Sequence, residues 1–167
     1  MKPPWLAECD ALERMIARAG RVRYRKAMRL PDTVVVDIEV SRFSFVKHRP
    51  DGSVDFLSPL PSLFSYGSVL GVPAADGDPQ DALVVGAAPR RGSRCTLAVH
   101  GRVLFVDAGV EDNKWIVGPR PPQKWEWVVI GIFFRVYAVA KRGLGWVRGN
   151  PGSTSFNGVE QTPGVAG

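Results

Sequence analysis

Apolar and polar positions change period several times along this chain, and each change marks an element. Near the start, Leu6, Leu12, Ile16 and Ala19 recur at helical spacing, so a short amphipathic helix is predicted over about 5–19, with Gly20 as its stop. "TVVVDIEV" (33–40) is a β-branched run of strand character. "RFSFVKH" (42–48) alternates as a strand does, "PDG" at 50–52 signals a turn, and "SVDFL" (53–57) is its expected hairpin partner. Residues 58–73 are rich in Pro, Ser and Gly and read as an irregular crossing segment. "DALVVG", "RCTLAVHGRVLFVDAG" and "NKWIVG" supply three further strands separated by Gly and Pro turns.

Five or six short strands at hairpin spacing favour a closed or strongly curled antiparallel sheet. "QKWEWVVIGIFFRVYAVAKR" (123–142) is apolar almost all round, which suits a buried helix or a long buried strand. We read it as a helix packed on the barrel. Arg135 interrupts it and it falls short of a bilayer's ~20 apolar residues, so no membrane span is expected. The closing "GNPGSTSFNGVEQTPGVAG" has little to bury and reads as a flexible tail over 149–167. The organisation expected is one domain over 1–148, with residues 1–30 as an N-terminal helix and basic segment.

Composition alters this picture little. The chain has 167 residues, 45% hydrophobic and 23% charged, ordinary for one globular domain. Cys9 and Cys95 stand far apart without metal-ligand spacing, which fits a reduced, cytoplasmic setting. The net charge of +6 is partly local, because "RVRYRKAMR" carries five basic residues between Arg21 and Arg29. No nucleic-acid motif accompanies that run, so it reads as a solvated face and nucleic acid is not an expected partner.

Against this basic background, "ADGDPQDALVVG" crowds Asp76, Asp78 and Asp81 onto one bend. Close carboxylates repel and raise one another's pKa unless a cation is shared. "DGDP" alone is a common turn. The third carboxylate at the start of a strand, and a second acidic loop with Asp107, Glu111 and Asp112, open the alternative of a cup for hard divalent cations. Five or more carboxylates facing one cavity suit hydrolysis by a water activated between two ions. His48 and His100 lack a serine or cysteine partner and read as surface or strand histidines.

These residues resemble those of the soluble family I inorganic pyrophosphatases. "YGSVLGVPAADGDPQDALVV" is similar to that family's Tyr-Gly, spacer, Asp-Gly-Asp-Pro-x-Asp-x-Leu-Val pattern, with Tyr66 ten residues before Asp76. "VDAGVEDNK" matches its Asp-x4-Asp-x-Lys segment at Asp107, Asp112 and Lys114, and "IFFRVY" resembles the helix that delivers Tyr137. The resemblance spans about 33–142. It implies a mainly β (α+β) fold, a five-stranded OB-like closed barrel with flanking helices, assembled as a homo-oligomer, often a hexamer. It implies Mg²⁺-dependent hydrolysis of pyrophosphate or a related small phosphoanhydride, with Mn²⁺ as a substitute ion. By position, Asp76, Asp78, Asp81, Asp107 and Asp112 would bind metal, Asp78 also orienting or deprotonating the water. Tyr66, Lys114 and Tyr137 would contact phosphate.

The pattern breaks in the phosphate clamp. Ser44-Phe45-Val46 stands where the family has Lys-Tyr-Glu, no arginine falls near Val54 to Phe56, and Ala138 follows Tyr137 in place of a lysine. Arg42, on one strand face with Ser44 and Val46, is the expected replacement; Lys47, Arg49 and Lys141 are the other cations in range. The alternative function is a catalytically impaired relative with a binding or scaffold role.

Overall fold

The computed structural model describes residues 30–48, 53–57, 60–75, 77–147 and 153–162. The expected N-terminal helix, the basic run at 21–29 and Asp76 lie outside the described residues.

The described residues form nine strands and one long helix: β1 (Thr33–Val40), β2 (Val46–His48), β3 (Val54–Leu57), β4 (Ser65–Pro73), β5 (Pro79–Val84), β6 (Arg94–Asp107), β7 (Val110–Glu111), β8 (Lys114–Gly118), α1 (Lys124–Val147) and β9 (Ser155–Gln161). Five of them close a barrel in the order β1-β4-β5-β8-β6, and β6 returns to pair with β1. All of these pairs are antiparallel except β5–β8, where Ala82 lies opposite Trp115 and the strands run the same way. The barrel is therefore mixed rather than wholly antiparallel. β2 and β3 form the expected hairpin as a separate two-stranded sheet.

The periodicity explains the layers. In β1, Val34, Val36, Ile38 and Val40 point inward while the intervening residues face out. Inside the barrel Val34, Val36 and Ile38 meet Val69, Ala82, Val84, Val99, Trp115 and Val117. β5 and β8 are buried on both faces: Leu83, Val85 and Ile116 turn outward under α1, against Ile130, Phe133, Phe134 and Ala138. A strand covered on both sides gives the continuous apolar run seen in "KWIVG". Edge-on ring contacts lock the helix down, Phe105 on Phe134 at 5.8 Å and Phe64 on Phe133 at 6.1 Å. Among the described residues, no helix is long and apolar enough to cross a membrane.

Two expectations are corrected. The segment read as irregular contains β4, whose Ser and Gly content reflects packing. Ser65, Gly67 and Val69 face inward, and a Cβ at Gly67 would run into the Asp37 carbonyl oxygen. The segment read as a flexible tail contains β9, which pairs with β6 from Gly101–Gln161 to Val106–Ser155 and packs Phe156 and Val159 against the helix-side core. Phe156, Val159, the ladder along β6 and an ion pair from Arg102 to Glu160 at 2.6 Å hold it.

Candidate active site

The barrel brings the starts of β5 and β8, the end of β6 and the later turns of α1 to one place. Parallel pairing of Ala82 with Trp115 sets Asp81 beside Lys114. The buried Lys114 ammonium lies 2.5 Å from Asp81 and also donates to Asp112. Asp107, at the end of β6, accepts from Lys141 of α1 and, on its other oxygen, from the Thr154 hydroxyl at 3.1 Å. Thr154 in turn accepts the Ala108 N–H at 3.2 Å, in a turn where Ala108 has φ 49°. The C-terminal segment thus helps aim a site carboxylate.

Each group is held from behind. The Asp112 N–H donates to the Phe105 carbonyl (2.9 Å), and Asn113 Oδ1 accepts the Phe105 N–H (3.0 Å) while its amide donates to Glu111. Gln80, buried, donates to the Asn113 carbonyl at 2.5 Å and so ties the aspartate turn to the β7–β8 link. Asp78 is exposed in that turn, where its carbonyl accepts the Ala74 N–H at 2.7 Å and Gly77 supplies φ 89°.

The electrostatics are those of a crowded anionic site. Burial pushes the Asp112 carboxyl up against the pull of Lys114, and Asp81 and Asp107 add to the rise. Burial works against the Lys114 ammonium, but Asp81 and Asp112 outweigh it and hold its pKa above the ordinary lysine value. Burial, with Tyr137, Asp81 and Asp112 nearby, lifts Tyr66 well above a free phenol, so it stays a neutral donor. Tyr137 stacks on Phe133 at 5.9 Å, and the Lys141 ammonium lies 5.8 Å from its ring centre.

Of the residues anticipated from sequence, Tyr66, Asp81, Asp107, Asp112, Lys114 and Tyr137 are brought together. Arg42 is not. The strand expected from Arg42 begins only at Val46; Arg42 sits in a turn beside Phe43 (φ 67°), donates to the Leu63 carbonyl at 2.9 Å and faces Glu126. Glu126 lies in the first turn of α1, eleven residues and about 16 Å along the axis from Tyr137. Beside Lys114, Lys141 reaches the carboxylates, one helical turn beyond Tyr137 on the same face, a spacing legible as an i, i+4 pair. Asn113, Gln80 and Thr154 carry no sequence signal of their role. His100 is a buried strand histidine whose ring bonds the Gly118 carbonyl at 3.1 Å.

Among the described residues, no three His, Cys, Asp or Glu side chains converge on one ion position. The donor set nevertheless suits a hard cation: carboxylate oxygens on Asp81, Asp107 and Asp112, repelling one another, with two lysines between them and Asp78 close in sequence.

No family model and no curated protein sequence matches the chain. Solved structures do. The inorganic pyrophosphatase of Coxiella burnetii aligns with a TM-score of 0.64 over 82% of this chain and 90% of that one, at 22% identity. Those of Thermus thermophilus (0.63, 82% and 87%, 23% identity) and Helicobacter pylori (0.62, 86% and 92%, 23% identity) align equally well. At such identity the likeness is one of architecture, and the chain has a pyrophosphatase-like fold.

Proposed function

We propose that this protein hydrolyses a small phosphoanhydride, inorganic pyrophosphate in the first place, with Mg²⁺ or Mn²⁺ as its cofactor. The observation that carries the reading is the meeting of Asp81, Asp107 and Asp112 with Lys114, Lys141, Tyr66 and Tyr137 at one end of the barrel. Asp78, Asp81, Asp107 and Asp112, with Asp76, are the residues that would hold the ions. When bound, divalent metal supplies positive charge to phosphate oxygens and acidifies water.

The chain's own groups have distinct tasks in this reading. Asp78, exposed on its turn, orients the attacking water and accepts its proton. Lys114 and Lys141 exchange their carboxylate partners for substrate oxygens as negative charge arrives, and Tyr66 and Tyr137 donate hydroxyl hydrogen bonds. Lys141 takes over from the lysine that the resemblance led us to expect after Tyr137. The products are two phosphates.

A second reading has its own support. Lys114 bridges Asp81 and Asp112, and Lys141 pairs with Asp107, so each of the three carboxylates has a cation of this chain beside it, as a binding or scaffold relative's would. Phosphate release from pyrophosphate, with and without Mg²⁺, separates the two. Turnover that needs Mg²⁺ and is abolished in Asp78→Asn supports the hydrolase. Absent turnover in the wild type, with Mn²⁺ still bound by calorimetry, supports the second reading.

A further inference from the structure

We propose that a cavity beside the start of α1 binds a small aromatic anion, a flat ring carrying a phosphate, of which a mononucleotide is the simplest example. Its volume is about 500 Å³, within the roughly 300–1,000 Å³ of small-molecule sites. Glu126, on its wall, precedes Tyr137 by eleven residues, about 16 Å along the helix, so the cavity is separate from the carboxylate site.

Two guanidinium groups stand on the wall. Arg42 is exposed, its Nε donates to the Leu63 carbonyl at 2.9 Å, and its guanidinium carbon lies 5.0 Å from the Phe43 ring centre. These contacts orient the group, and among the described residues its two terminal nitrogens have no hydrogen-bond acceptor. Arg120 donates through both of its terminal nitrogens to Glu126, at 2.7 and 3.0 Å. Its side chain lies across Gly86, where φ is 76° and an added Cβ would come within 3.3 Å of it. Two guanidiniums against one carboxylate leave the wall with one net positive charge. Because Glu126 is buried and engaged with Arg120, the charge offered to a ligand is that of Arg42.

The apolar part of the wall selects what the anion is attached to. Phe64, Val85 and Val129 line it from the helix-side core, and the short side chains of Ala87 and Ala88 leave the space open. Trp125 also lines it, 58% exposed, with its indole N–H already donating to Gln123 Oε1 at 2.6 Å. With that donor engaged, the indole has its ring faces to offer. A flat ring stacked on Trp125, with its phosphate forked by the terminal nitrogens of Arg42, meets both features at once. Inorganic phosphate would leave the indole and the apolar wall wet, and an uncharged ring would leave Arg42 unpaired.

The test is calorimetric titration of the full chain with AMP, in buffer free of divalent metal, for the wild type beside Arg42→Ala, Trp125→Ala and Asp78→Asn. Arg42 and Trp125 are exposed, and far-UV circular dichroism checks the fold of each variant. Wild type and Asp78→Asn should bind one AMP per chain with equal affinity. Arg42→Ala and Trp125→Ala should each bind it about tenfold more weakly or worse, and so should the wild type bind inorganic phosphate or adenosine. No binding of AMP to the wild type at millimolar concentration overturns the proposal. So does an affinity unchanged in either Arg42→Ala or Trp125→Ala, and so does inorganic phosphate that binds as tightly as AMP. Binding lost only in Asp78→Asn overturns it as well, because it places the ligand in the carboxylate site.

Discussion

Replacing Lys114 with Met tests the core of the site without reference to turnover. The substitution keeps much of the side chain's volume and removes one ammonium from between two carboxylates. Lys114 is 9% exposed, and its partners Asp81 and Asp112 retain 20% and 27%. Breaking a fully buried ion pair costs about 3–5 kcal/mol, and the partial solvent access of the two aspartates lowers that to about 2–3 kcal/mol. For a domain of this size the melting temperature should fall by about 5–10 °C in chelator-treated buffer.

Mg²⁺ supplies the second half of the test. If Asp81 and Asp112 are metal ligands, the variant's native state offers them without a competing ammonium. Its melting temperature should then rise more steeply with Mg²⁺ than the wild type's. An ion at a hundred times its dissociation constant stabilises by about 2.7 kcal/mol, enough to offset the loss. Differential scanning fluorimetry across a Mg²⁺ series reads both effects. A variant within about 1 kcal/mol of wild type in chelator would show that Lys114 does not hold the carboxylates together. Equal Mg²⁺ responses in the two proteins would remove the aspartates as ligands.

Three other outcomes are expected. Lys141→Met should lower kcat/KM for pyrophosphate by roughly 10- to 100-fold, the worth of one charge-assisted hydrogen bond, while Arg42→Ala leaves it within about twofold. Glu126 accepts from Arg120 at 2.7 and 3.0 Å and from the Gln123 N–H at 2.7 Å, and the Arg120 bonds hold its carboxyl below the usual range. A depressed folded-state pKa gives stability that is present above the unfolded value, about 4.3, and is lost as pH falls through the folded one. Glu126→Gln should therefore cost about 1–2 kcal/mol at pH 7 by urea unfolding, and the gap should close on acidification below pH ~4; a gap independent of pH would refute the assignment. Gly67→Ala should destabilise by about 3 kcal/mol or more, because the added methyl meets the Asp37 backbone and the fully buried Val36 side chain, neither of which can move aside; urea unfolding reads the loss.

What the sequence made legible follows from which interactions are local. β1 alternates because one face is wet, β5 and β8 run apolar because both faces are covered, and the site aspartates cluster because they sit where strands begin and end. β4 and β9 were hidden for the opposite reason. In β4, Gly67 lets the backbone meet the Asp37 carbonyl, and a residue chosen for its missing side chain leaves no hydrophobic pattern; β9 is held by its pairing with β6, where Gly101 admits the Glu160 carbonyl, a partner that its own sequence does not show. Arg42 falls outside the site because β2 begins only at Val46, so the alternation that groups Arg42 with Ser44 and Val46 does not extend to a turn residue. Lys141 needed the phase of a helix, which only its barrel-facing Phe133 and Phe134 define.

The all-round apolar character of α1 makes the last of these points in a different form. Read as a pattern, it meant a helix buried on every side. In the single chain the barrel covers one side, and Trp125, Val139 and Trp146 remain open to water on the other. The helical phase separates the two sets: Phe133 and Phe134 take the barrel side, and the row from Trp125 to Trp146 takes the other. The inner surface selects large aromatics that fill the space over β5, β6 and β8.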